Sequence, residues 1–136
     1  MRVVCDTNVL ISGLFWKGPP KRIFDLIEKG SISICLTPRI LDELLRVLRY
    51  PRIFKHLAAA GVTPEDIVSD LLASATVFPD EPFVRVVKDD PSDDVFINCA
   101  LSSGARWLIS GDQHLLRLVR FGNIRIITPS QFLKLL

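Results

Sequence analysis

Short apolar runs alternate with helical patterns along the whole chain. Valine-rich Arg2–Cys5 is the first run, and Ile32–Leu36, Phe83–Val87, Trp107–Ser110 and Ile124–Ile127 follow it, each as long as a short strand. Between the first two, Pro19 and Pro20 precede KRIFDLIEKG, where Ile23, Phe24 and Ile27 recur at helical spacing before a glycine stop at Gly30. Thr37 and Pro38 then suit the cap and first position of a helix carrying Ile40, Leu41, Leu44, Leu45, Val47 and Leu48. Two more helices are predicted at 51–60 and 64–75, the second opened by Thr63 and Pro64, then two further helices and a terminal one opened by Thr128, Pro129 and Ser130. Strands separated by helices imply an α/β fold whose central sheet is mainly parallel, with about five short strands. The pattern leaves the order of the first three strands open.

Composition narrows the function classes. At 136 residues and 49% hydrophobic, the chain can bury one sizeable core and reads as a single domain over 1–136. Charged residues make up 24%, and 17 Lys+Arg against 15 Asp+Glu leave a net charge of +2, which argues against intrinsic disorder and against a uniformly basic coat. The longest stretch without a charge, Val95 to Ala105, is far shorter than the ~20 apolar residues of a membrane span. Asp6 interrupts any signal-peptide core, so a soluble, cytoplasmic protein with no membrane association is expected. Cys5, Cys35 and Cys99 are far apart, each in an apolar run, and read as buried reduced thiols. With two histidines and no CxxC, a structural zinc site is not expected.

Candidate chemistry lies with the carboxylates. Asp6 closes the first strand ahead of Thr7, Asn8 and a helical run, at the sheet edge where open α/β folds bind ligands; capping that helix is the plainer role. In DDPSDDVFINCALSSG, Asp90 suits an N-cap and Pro91 the first helical position. About 100° per residue from Asp93 puts Ile97 and Ala100 beside it, with Asp94, Asn98 and Ser102 on the opposite flank. Asp93 therefore points along the apolar face, costly without a metal, a cation or hydrogen-bond donors, whereas Asp94 reads as a solvated residue of the cap. WLIS runs into Gly111 and Asp112, another acid at a strand end, with capping again the plainer role. In TPRILDELLRVLRY, Glu43 borders the apolar stripe and has Arg39 at i−4, while Asp42 has Arg46 at i+4, so the helical wheel leaves open which acid turns inward. Acids converging on one rim repel one another unless a cation lies between them. Mg²⁺ or Mn²⁺, hard ions that take oxygen ligands, suit that position.

VVCDTNVLIS, LTPRILDELLRVL, DDPSDDVFINCALSSGARWLISGD and the terminal ITPSQFL, in this order and spacing, resemble the PIN domains. These are small metal-dependent nucleases that include the toxins of VapC-type toxin–antitoxin pairs. The resemblance spans nearly the whole chain and implies a three-layer α/β/α domain hydrolysing RNA phosphodiester bonds with Mg²⁺ or Mn²⁺. It matches Asp6, Glu43, Asp93 and Asp112 to the family's catalytic and metal-binding acidic quartet, and Asn8 and Ser110 to supporting polar residues, with Asn8 expected to fix Asp6. It also implies an antitoxin protein as partner and, with the many apolar residues of the 51–60 and 64–75 helices, a homodimer. Related sequences often carry a further acid where this chain has His114, which bears on a second metal, although a lone histidine on a helix is ordinarily a solvated residue. Lys17, Lys21, Arg22, Arg39 and Arg46 are candidate contacts to an RNA backbone. The alternative within this fold is a non-catalytic RNA- or protein-binding module. A dehalogenase-type phosphatase would want an acid where Asn8 stands, and neither GxGxxG, GxxxxGK[ST] nor an EF-hand loop occurs.

Overall fold

The computed structural model describes residues 1–86 and 93–136. In chain order the elements are β1 (Arg2–Cys5), α1 (Thr7–Phe15), α2 (Pro19–Glu28), β2 (Ser33–Leu36), α3 (Pro38–Leu48), α4 (Pro51–Ala59), α5 (Pro64–Ala73), β3 (Ala75–Val77), α6 (Asp94–Ser103), β4 (Trp107–Ile109), α7 (Gln113–Leu116), β5 (Arg120–Phe121), β6 (Ile124–Ile127) and α8 (Pro129–Lys134). Among the described residues, six strands form one sheet in the order β3-β2-β1-β4-β6-β5, flanked by helices. All neighbours pair in parallel except β5, which runs antiparallel to β6.

The central strands read as unbroken apolar runs because helices cover both faces of a parallel sheet. Val3, Val4 and Cys5 of β1 and Leu108 and Ile109 of β4 are fully buried, packed with Ile34 and Leu36 of β2 and Ile97 of α6. All three cysteines are buried and free, and burial pushes the thiols of Cys5 and Cys99 far above their ordinary range, so they stay protonated. Local chemistry sets the helix starts as expected. Thr37 caps α3 through Ile40 N–H, and Thr63 and Thr128 form capping boxes with Asp66 and Gln131. Between α1 and α2 the approach is tight enough that a Cβ on Gly13 would lie 2.6 Å from the Phe24 ring. No helix of the described residues is long and apolar enough to cross a membrane.

Two expectations about the strands are corrected. The third strand is Ala75–Val77, which pairs with β2, and not Phe83–Val87. Residues 83–86 are not in a strand, and Val87 lies outside the described residues. The reason is a competing set of partners on α6. The Asn98 side chain accepts from Val84 N–H (2.7 Å) and donates to Val84 C=O (2.7 Å), Asp94 Oδ1 accepts from Val86 N–H (2.9 Å), and Ser102 Oγ donates to Pro79 C=O (2.8 Å). The backbone of this segment is thus satisfied by side chains rather than by a neighbouring strand. The sixth strand, β5, is a two-residue hairpin arm too short to show a periodicity.

The same contacts overturn the reading of Asp94 as solvated: Asp94 and Asn98 are buried, because the 79–86 segment covers the flank of α6 on which they stand. As described, α6 begins at Asp94 with Asp93 in the cap position; the Asp90–Pro91 start lies outside the described residues.

Candidate metal centre at the sheet edge

Asp6 leaves the C-terminal end of β1 beside the end of β4, since Cys5 pairs with Ile109 and Asp6 N–H donates to Ile109 C=O at 3.1 Å. Its carboxylate has two structural partners: Oδ1 accepts from Val9 N–H at 2.9 Å, capping α1, and Oδ2 accepts from the Ser110 hydroxyl. Ser110 Oγ in turn accepts from Asp112 N–H at 2.9 Å. Capping and participation in an acidic cluster, opposed as alternatives for Asp6 in the sequence, are therefore both present. With 4% of its surface exposed, Asp6 has its carboxyl held above the ordinary carboxylate range by burial. The Ser110, Val9 and Gly111 hydrogen bonds work against that rise, and the charge of Asp112 adds to it.

Asp112 follows β4 and caps α7, Oδ1 accepting from His114 N–H (2.7 Å) and Leu115 N–H (3.4 Å). Asp93 is buried at the start of α6. On α3, Asp42 is exposed whereas Glu43 is half-buried and turned toward the other acids. Glu43 pairs with Arg46 at 3.7 Å; Arg39, its expected partner, is instead drawn to Glu81 (3.7 Å) and lies over the Phe83 ring at 4.1 Å. All four acids line one cavity of about 340 Å³ together with Thr7, Asn8, Arg46 and Tyr50.

Three details depart from the expectations. Asn8 is exposed toward the cavity, and the hydrogen bonds to Asp6 come from Val9 and Ser110 instead. His114 is not an isolated solvated residue: one ligand atom each from Asp93, Asp112 and His114 lie within 4.8 Å of one another, and His114 Nδ1 is 3.9 Å from Asp112 Oδ1. Of the candidate cations, Arg46 lines the cavity and donates to the Tyr50 hydroxyl, while Lys21 pairs with Asp25 at 3.2 Å. Thr7 and Tyr50, which the sequence did not single out, also line it, and the Thr7 hydroxyl is buried with no hydrogen-bond partner among the described residues. The one sequence signal for Thr7 was its place directly after the strand-end acid.

The donor set fits a divalent cation. Carboxylate oxygens are hard ligands, and one ligand atom each of Asp93, Asp112 and His114 lie within 4.8 Å of one another, which puts them around a point where one divalent ion could be held. The cavity also has room for water or a phosphate oxygen beside such an ion.

Over residues 2–114 the chain matches the family model of the PIN domain. A search of curated proteins finds no match. Among solved structures, a chain of VapBC2 from Rickettsia felis, in a crystal structure bound to a DNA fragment from their promoter, is similar with a TM-score of 0.63 and 11% identity, covering 93% of this chain and 97% of that one. The fold and the family match together place this chain in the PIN-domain family.

Proposed function

We propose that residues 1–136 form one PIN nuclease domain that hydrolyses RNA phosphodiester bonds with Mg²⁺ or Mn²⁺. The observation that carries the reading is the convergence of Asp6, Glu43, Asp93 and Asp112 on one cavity at the sheet edge, with Asp6 buried and held by Ser110. A divalent ion held there would supply a bound water of lowered pKa and positive charge against that developing on the phosphate. Asp6 and Asp93 are the principal ligands in this reading and Asp112 completes the set, directly or through water. Glu43 orients the attacking water. Ser110 and the Val9 N–H fix the rotamer of Asp6 so that one carboxylate edge stays turned to the cavity, and Asn8 faces the same space.

The similarity to a chain of the Rickettsia felis complex supports an antitoxin protein as partner and a toxin role. Phe54 and Leu72, 45% and 38% exposed on α4 and α5, support a homodimer through these helices, which light scattering tests: a monomeric mass at tens of micromolar removes it. The experiment for the activity is cleavage of a mixed RNA pool with and without Mn²⁺. Wild type should cut only with metal and Asp6→Asn not at all; equal cleavage by both overturns the reading.

A further inference from the structure

At the opposite end of β4 from the acids, Arg106, Arg120 and Arg125 line a second cavity of about 360 Å³ together with Trp107 and Asn123. Backbone pairing brings the three residues to one place in the sheet. Arg125 N–H donates to Arg106 C=O at 2.7 Å, and Arg120 and Arg125 stand directly opposite each other across the antiparallel β5–β6 pair, joined by the Gly122–Asn123 turn. Like charges directly opposed on a sheet are destabilising. Among the described residues no Asp or Glu pairs with any of the three. All three arginines are exposed, and Arg125 lies over the Trp107 ring at 5.9 Å.

We infer that this arginine pocket binds the phosphodiester backbone of single-stranded nucleic acid. It deepens the nuclease reading, on which the choice of ligand rests. Without metal, a cavity walled by four carboxylates repels a polyanion, and of its lining Arg46 alone is basic, so the cavity by itself supplies little affinity for a nucleic acid strand. The arginine pocket has the chemistry for it. Guanidinium forks match phosphate oxygens in pairs, the Asn123 amide adds a neutral donor, and successive phosphates carry one charge each toward three separate arginines. The two cavities lie at opposite ends of β4, with Arg106 before it and Ser110 after it.

The test is fluorescence anisotropy of a short labelled single-stranded RNA in EDTA, where metal-dependent cleavage is silent. Wild type is compared with Arg106→Ser/Arg120→Ser/Arg125→Ser and with a charge-matched control, Lys29→Ser/Lys55→Ser/Lys134→Ser. The arginine variant should bind at least tenfold more weakly, and the slope of log affinity against log salt should shrink by about 2, as for three lost contacts to a single strand. The control should stay within about twofold, and relief of like-charge repulsion should keep the variant's melting temperature at or above that of wild type. Equal losses in variant and control, or none in either, overturn the inference. So does polyglutamate binding to the pocket as tightly as RNA, which would assign it to an acidic protein. If wild type fails to cleave RNA with Mn²⁺ yet binding still depends on the three arginines, the nuclease reading falls and the pocket stands.

Discussion

Replacing Asp6 with asparagine separates its structural role from its proposed metal-binding role. Asparagine caps helices as well as aspartate does, so the 2.9 Å bond from Val9 N–H is retained, and its amide can donate to Ser110 Oγ in place of accepting from it. What is lost is a buried negative charge. In wild type, burial holds the Asp6 carboxyl above its ordinary 3.8, with Asp112 adding to the rise. A carboxyl raised in the folded state is protonated in the fold over a range where the unfolded chain has already ionised. The metal-free protein is therefore most stable below pH 3.8, as far as this group is concerned, and loses that contribution as pH rises through the folded value. Asp6→Asn removes this decline, so without metal at neutral pH it should melt at or above wild type. Asp6→Ala, which also loses the cap, should fall about 1 kcal/mol below the asparagine variant. Metal reverses the ranking. Ion at a hundredfold excess over its Kd stabilises wild type by about 2.7 kcal/mol, roughly 10 °C in a domain of this size, and Asp6→Asn should show almost none of that rise. Thermal melts by circular dichroism with EDTA or Mn²⁺ read both effects. A metal-free Asp6→Asn that melts several degrees below wild type, or one that keeps the Mn²⁺ shift, refutes the assignment.

Glu43→Gln should lower kcat for RNA cleavage at least tenfold, whereas Asp42→Asn, exposed on the same helix, should leave it within twofold; steady-state kinetics on one RNA decides, and the reverse ranking removes Glu43 from the site. His114→Asp should strengthen binding of a second Mn²⁺, because it puts a hard oxygen ligand and a negative charge beside Asp93 and Asp112; calorimetric titration showing two tight sites already in wild type, or no change in the variant, contradicts it. Asn98→Ala removes three hydrogen bonds of 2.7–2.8 Å, at about 1 kcal/mol each. It should destabilise by about 2–3 kcal/mol in urea melts, and a loss under 1 kcal/mol means that the 79–86 segment is held by other contacts.

Much of this protein was legible in one dimension because the rules involved are local. Apolar runs long enough for buried strands located β1, β2, β4 and β6, and Thr-Pro pairs marked the starts of α3, α5 and α8. Asp93, which the wheel set on the inward side, is buried, at the cap of α6 and lining the acidic cavity. The acids at the ends of β1 and β4 were visible for the same reason: in a parallel sheet all strand ends of one kind lie along one edge. Tertiary structure decided what depends on partners distant in sequence. Asp42 and Glu43 are equivalent on the wheel until α3 packs and turns one of them to the cavity. The Asp94 flank of α6 reads as wet because nothing local reveals that residues 79–86 fold across it, and Phe83–Val87 reads as a strand because apolar spacing does not say whether a backbone will meet another strand or the Asn98 amide. His114 meets Asp93 only through the packing of α6 and α7 at one end of the sheet, and Arg106, Arg120 and Arg125 come to one pocket only through strand pairing. Spacing along the chain fixes which way a side chain leaves its own element, but the neighbour it meets depends on the packing of elements far apart in sequence, and at this site that packing determines the charge, the burial and the set of possible ligands.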